Sequence, residues 1–280
     1  MAASKQLKRI ILTLGGKGGT GKTLFNRALF YSLIKEGVKC SGFDADVENP
    51  EFSGYHSPTE GTSTKSSKAV PDVKLLNFLD VKAAKTLFTD IESQKQDTVL
   101  IDLPGASSKD TRQLLKTFNI FKLAADLGYR LTLATVLNID YNTINSLERM
   151  QEFCGANADY VAVKSQFWGQ YGNNFERWVK SDTRAQFLKY KGIEIELPIL
   201  ELSVFDVIHE MNVSFFEIDK LPFGDRILAD SFLARTLPEL QRAGEYLGFP
   251  VAAAKTTSKT EKAADPGKPM PEMVGTAPSS

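Results

Sequence analysis

Short apolar runs alternate with longer stretches of helical periodicity from the N-terminus to about Glu194, a pattern that predicts βα units wound around a parallel sheet. Residues 10–14 read as the first strand. Between Thr23 and Glu36 the apolar positions Leu24, Ala28, Leu29 and Leu33 fall at helical spacing, and Gly37 supplies the stop. Residues 38–43 read as a second strand, and residues 98–103, β-branched and Leu-rich, as a central one. Residues 131–137, 160–163 and 194–197 read as further strands. Residues 75–94 are helical in pattern, and residues 203–219 and 230–247 read as closing helices. The fold class expected is α/β, a doubly wound, mostly parallel sheet.

Two segments break the pattern. Residues 53–68 are rich in Ser, Thr, Gly and Pro and read as an exposed loop. From Phe249 onward the chain turns to Ala, Lys, Thr, Pro and Ser, so one domain over residues 1–248 and a disordered tail over 249–280 are expected. A hydrophobic content of 42% and a charged content of 24% in 280 residues exclude wholesale disorder. Lys+Arg and Asp+Glu stand at 34 each, so any nucleic-acid or lipid binding has to be local. Two unclustered cysteines, Cys40 and Cys154, point to a reducing compartment, and the cytoplasm is the expected location. No run approaches the 18 apolar residues of a membrane span. Lys5, Lys8 and Arg9 precede an apolar run too short for a signal peptide.

The chemistry is concentrated after the first strand. Gly16-Lys17-Gly18-Gly19-Thr20-Gly21-Lys22-Thr23 satisfies G-x-x-x-x-G-K-[ST] between a strand and a helix, where a phosphate loop belongs. Glycines let successive N–H groups converge on phosphate oxygens, and the helix start adds its positive dipole end. In this arrangement Lys22 reaches the β and γ phosphates, and the Thr23 hydroxyl ligates Mg²⁺. Asp44 and Asp46 follow the second strand at its carboxyl end, where α/β folds bind ligands. Asp102 closes the run Val99-Leu100-Ile101 as a Walker B aspartate that holds Mg²⁺ through water. Gly105, two residues beyond Leu103, offers a movable N–H to sense the γ-phosphate.

A lysine directly after the first glycine is unnecessary for an ordinary phosphate loop. With Lys17 the run resembles the deviant Walker A motif of the ParA/MinD superfamily of ATPases. The resemblance implies ATP and Mg²⁺ as ligands and a homodimer that forms on ATP binding. It also implies that Lys17 reaches the partner's ATP in trans, that Asp44 lies near the Mg²⁺ shell and that Asp46 positions or activates the attacking water. The absence of Asn-Lys-x-Asp favours ATP over GTP. Where many members place a base-reading asparagine this chain has Val163-Lys164-Ser165-Gln166, leaving the Gln166 amide as a substitute, with Pro198 in the base-packing segment.

The chain most resembles TraL-type proteins of conjugative plasmids and related plasmid-stability ATPases in Phe52-Ser53-Gly54-Tyr55, Gly105-Ala106-Ser107-Ser108 and Phe167-Trp168-Gly169. The function expected is a slowly hydrolysing ATPase switch in plasmid or DNA partitioning, stability or conjugative transfer, with a protein partner in that complex. Arg177, Lys180, Arg184, Lys189 and Lys191, interleaved with Trp178, Phe187 and Tyr190, are either a nonspecific DNA contact or a solvated helix face with core aromatics. The stretch after Val251 has no apolar face for membrane anchoring. Two rival readings stand beside the switch: a small-molecule kinase or ligase, and an ATP-binding adaptor with little hydrolysis.

Overall fold

The computed structural model describes residues 7–56, 70–78, 80–170 and 175–250. The chain begins with β1 (Lys8–Leu14), α1 (Lys22–Lys35), β2 (Cys40–Asp44), α2 (Glu51–Gly54), β3 (Val73–Leu75), α3 (Val81–Gln94) and β4 (Thr98–Asp102). It continues through α4 (Ser108–Thr117), α5 (Ile120–Asp126), β5 (Tyr129–Leu137), α6 (Tyr141–Cys154), β6 (Ala158–Ser165) and α7 (Gln166–Gly169). The last elements are α8 (Glu176–Val179), α9 (Asp182–Lys189), β7 (Ile193–Leu197), α10 (Leu202–Glu210) and α11 (Phe223–Ala243).

The seven strands form one sheet in the order β3-β2-β4-β1-β5-β6-β7, and every pairing is parallel. The α/β doubly wound class is therefore correct. Parallel neighbours need crossover connections, so helices cover both faces and the strands are apolar on both sides. Ile10 and Leu12 of β1 point into one core layer with Val99 and Ile101 of β4. Ile11 and Leu100 point into the other, against Phe25, Leu29 and Leu33 of α1. β1 lies between β4 and β5, so the loops after β1, β2 and β4 open along one edge of the sheet.

Three sequence expectations are corrected. The stretch 75–94 begins as an edge strand, Val73–Leu75, and turns helical only at Val81, where the Asp80 carboxylate caps the Lys82 N–H. The span 203–219 divides into α10 and a 3₁₀ turn, Phe215–Lys220. The exposed loop expected from residue 53 does not start there: Phe52, Ser53, Tyr55 and His56 are buried. A polar, Gly-containing composition concealed three aromatic rings that pack on α1, with Phe52 and His56 both set edge-on to Phe30. Residues 57–68 of that loop lie outside the described residues, as do 251–280 of the tail. Phe249, where the tail was drawn to begin, is buried in the second core layer.

Candidate functional site

The phosphate loop joins β1 to α1. Gly21 sits at the N-cap of α1 with φ of +97°, a left-handed conformation open to glycine, which turns the chain so that the helix starts at Lys22. Gly18 and Gly19 are exposed, Thr20 is buried, and the Lys22 side chain runs inward and is 7% exposed. Two other loops press on this one. A Cβ on Gly16 would fall 2.3 Å from the Asn142 carbonyl carbon at the start of α6, and one on Gly105 would fall 2.8 Å from the Gly18 nitrogen. The turn after β4 therefore touches the loop backbone to backbone.

Three carboxylates converge beside Lys22. Asp44 and Asp102 are register partners across β2 and β4, and the Ala45 N–H donates to the Asp102 carbonyl at 2.8 Å. The Thr23 hydroxyl donates to Asp102 Oδ2 at 2.9 Å, joining the helix start to the end of β4. Asp102 Oδ1 is buried without a partner. Burial pushes the Asp102 carboxyl up to about 7 against the opposing pull of the Lys22 ammonium. Burial also raises Asp44, although it accepts N–H groups from Ser53 at 2.9 Å and Asp46 at 3.1 Å. Asp46 is half-buried and caps the following turn, accepting the Asn49 N–H at 3.2 Å.

A buried, partnerless carboxylate oxygen beside a threonine hydroxyl and a lysine is a donor set suited to a hard divalent cation. Thr23 and Asp102, with Asp44 behind them, fit Mg²⁺.

A cavity of about 290 Å³ extends from the loop. Gly19 to Leu24 line it at the loop, and Ser165, Phe167, Trp168, Pro198, Leu200, Leu202 and Phe205 line the rest, with Glu51 as the carboxylate among the lining residues. Pro198 is thus in the wall, as expected, whereas Gln166 is not among the lining residues and its neighbours Ser165 and Phe167 are.

Sequence reasoning missed Phe205 and Glu51, which carry no motif and reach the cavity only through the fold. It also missed Asp140, whose carboxylate pairs with the Lys17 ammonium at 2.5 Å. An aspartate at the N-terminus of a helix directly after a strand was the available signal.

The basic stretch resolves differently. Trp178 and Phe187 are core residues, Arg184 pairs with Glu194 and Lys180 with Glu176, and Arg177 donates to the Ile139 carbonyl. The aromatics are structural, and three of the five cations already have partners.

What remains diagnostic is the loop itself: a second lysine, Lys17, at its exposed tip, on a β1 that lies between β4 and β5 in an all-parallel sheet. In these features the chain is similar to ATPases of the ParA/MinD type.

No protein-family model matches it. Among curated proteins it is similar to Protein MobD of Acidithiobacillus ferrooxidans, 26% identical over 78% of this chain and 90% of that protein. It is also similar to an iron-sulfur cluster carrier protein of Clostridium perfringens, 25% identical over 42% of this chain and 51% of that protein. Among solved structures it resembles the MinD protein complexed with Mg-ADP from Pyrococcus horikoshii, at 19% identity and a TM-score of 0.48 over 86% of this chain and 99% of that one. The MinC:MinD complex of Aquifex aeolicus aligns at 18% identity and a TM-score of 0.48, over 82% of this chain and 96% of that one. Cys154 is a core residue and Cys40 lies within β2. Among the described residues no helix is long and apolar enough to cross a membrane.

Proposed function

We propose that this chain is a Mg-ATP-dependent switch that closes into a homodimer on ATP and reopens after slow hydrolysis, serving plasmid or DNA partitioning, stability or conjugative transfer. The observation that carries this reading is the contrast between two lysines of one loop. Lys22 is buried inside the loop that would cradle its own nucleotide, whereas the Lys17 side chain is 51% exposed at the tip. An exposed cation there suits a phosphate presented by a second copy.

The roles follow from placement. Loop N–H groups from Gly16 to Thr23 and the Lys22 ammonium hold the β and γ phosphates. Thr23 and Asp102 hold Mg²⁺, with Asp44 behind them. When bound, Mg²⁺ neutralises charge on the phosphate oxygens. Asp46 orients a water and accepts its proton as the oxygen bonds to the γ-phosphorus and the bond to the ADP oxygen breaks, giving ADP and inorganic phosphate. The partner's Lys17 stabilises the negative charge of that transition state. Gly105, in backbone contact with Gly18, carries the phosphate state to the segment after β4. The apolar cavity takes the base, and a partner protein of a segregation or transfer complex reads the closed state. Direct nonspecific DNA contact falls to Lys189 and Lys191, the cations of the basic stretch for which neither an ion pair nor a side-chain hydrogen bond is seen among the described residues.

Light scattering in Mg²⁺ with ADP or ATP tests the switch. A doubling of mass with ATP alone is expected for the wild type. A mass independent of nucleotide would overturn the sandwich and bring forward an acceptor-dependent kinase.

A further inference from the structure

The single turn α2 contributes Glu51 to the lining of the cavity. On one side the Ser53 N–H donates to Asp44 Oδ2 at 2.9 Å, and on the other α2 is fastened to α10 and the turn after it. The Tyr55 hydroxyl hydrogen-bonds His209 Nδ1 at 2.8 Å, and Asn212 Nδ2 donates to the Gly54 carbonyl at 3.2 Å.

Beneath Tyr55 lies the buried Arg27 guanidinium, 3.5 Å from the ring centroid, donating to the Val213 carbonyl at 3.1 Å. A buried cation under the ring fixes Tyr55 from below. One helical turn before His209 is Phe205, its ring parallel to the imidazole at 5° with centroids 6.4 Å apart, and Phe205 lines the cavity. A continuous path therefore runs from the apolar wall through Phe205, His209, Tyr55 and Ser53 to Asp44.

We propose that Tyr55 and His209 are positioning residues that couple occupancy of the apolar end of the cavity to placement of Asp44 beside Asp102. A base seated against Phe205 fixes α10, α10 fixes Tyr55, and α2 then holds Asp44 through the Ser53 N–H. The nucleotide base thereby contributes to turnover as well as to binding. This rests on the reading that the cavity takes ATP.

The test measures Kd for fluorescent N-methylanthraniloyl-ATP and kcat for ATP in the wild type, Tyr55→Phe, His209→Asn, Phe205→Ala and Tyr55→Phe/Phe205→Ala. Tyr55→Phe keeps the ring over Arg27 and removes only the hydroxyl. It is expected to lower kcat about 5- to 20-fold with Kd changed less than about 2-fold. His209→Asn keeps a polar atom near the Nδ1 position but loses the ring that stacks on Phe205, so it is expected to lower kcat to a similar extent with Kd little changed. Phe205→Ala is expected to lower kcat in the wild type and not further in Tyr55→Phe, the signature of one shared path.

If the chain binds nucleotide without turning it over, hydrogen exchange at the Ser53 amide decides. Protection gained on nucleotide binding in the wild type and lost in Tyr55→Phe supports the coupling; equal protection in both overturns it. Additive effects of Tyr55→Phe and Phe205→Ala, or an unchanged kcat in both, overturn the coupling alone. A wild type that binds no nucleotide overturns the ATP reading and the coupling with it.

Discussion

The Lys17 ammonium lies 2.5 Å from the Asp140 carboxylate, tying the tip of the phosphate loop to the start of α6. The bond to Lys17 holds the Asp140 carboxyl below the usual carboxylate range. Both side chains reach solvent, at 51% and 34% exposure, and an exposed pair is worth at most about 1 kcal/mol. Lys17→Ala should therefore melt within a few degrees of the wild type while losing the ATP-dependent doubling of mass. Calorimetry and light scattering on the same preparation read the two effects.

Asp46 is half-buried and its carboxylate caps a local turn. Asp46→Ala should still dimerise with Mg-ATP, and its dimer should persist because phosphate release slows about 100-fold or more, in the range of a lost general base. Single-turnover phosphate release checks the chemical step apart from product dissociation.

Thr23 is bonded to Asp102 at 2.9 Å, and removing its hydroxyl leaves a second buried oxygen of Asp102 without a partner. Thr23→Ala should raise the Mg²⁺ concentration for half-maximal hydrolysis about tenfold or more. A titration of rate against free Mg²⁺ at saturating ATP measures it.

A Cβ on Gly105 would stand 2.8 Å from the Gly18 nitrogen and 2.9 Å from the Lys17 carbonyl carbon. Both are backbone atoms, so the loop has to yield. If, as proposed, the turn after β4 answers to the γ-phosphate, Gly105→Ala should weaken ATP binding about tenfold and ADP binding less. Isothermal titration with each nucleotide gives the ratio.

His56 is buried among the Phe30, Phe52 and Phe216 rings. Burial lowers it to about 4, although the contact of its Nδ1 with the Pro71 carbonyl opposes the shift. The unfolded chain takes up this proton near 6.5 and the folded chain near 4, so stability is full above 6.5 and is lost as pH falls towards 4. The difference amounts to about 3 kcal/mol at most. Across that window the melting temperature of His56→Gln should fall less steeply than that of the wild type, from a lower starting value.

The loop from Gly16 to Thr23, its flanking strand and helix, and Asp102 at the end of an apolar run were legible because each is local. A phosphate cradle is built from consecutive N–H groups, and a strand that ends in a carboxylate is visible as such. Five strands besides β1 and the class of the sheet follow from the same short-range alternation, although β3, three residues long at the edge, was too short to show a period. Composition misled around Ser53, where small polar residues separate rings that meet α1 only after folding.

Long-range contacts were beyond reach for a physical reason: nothing local selects them. Asp140 meets Lys17 because β5 lies beside β1, and Phe205 lines the cavity beside the phosphate loop because α10 follows the carboxyl end of β7, on the sheet edge from which α1 departs. Local sequence thus determined which chemistry the chain carries and in which strand-to-helix turn. The packing of distant elements decided which acid pairs with that chemistry, which apolar wall adjoins it and how α2 joins the two.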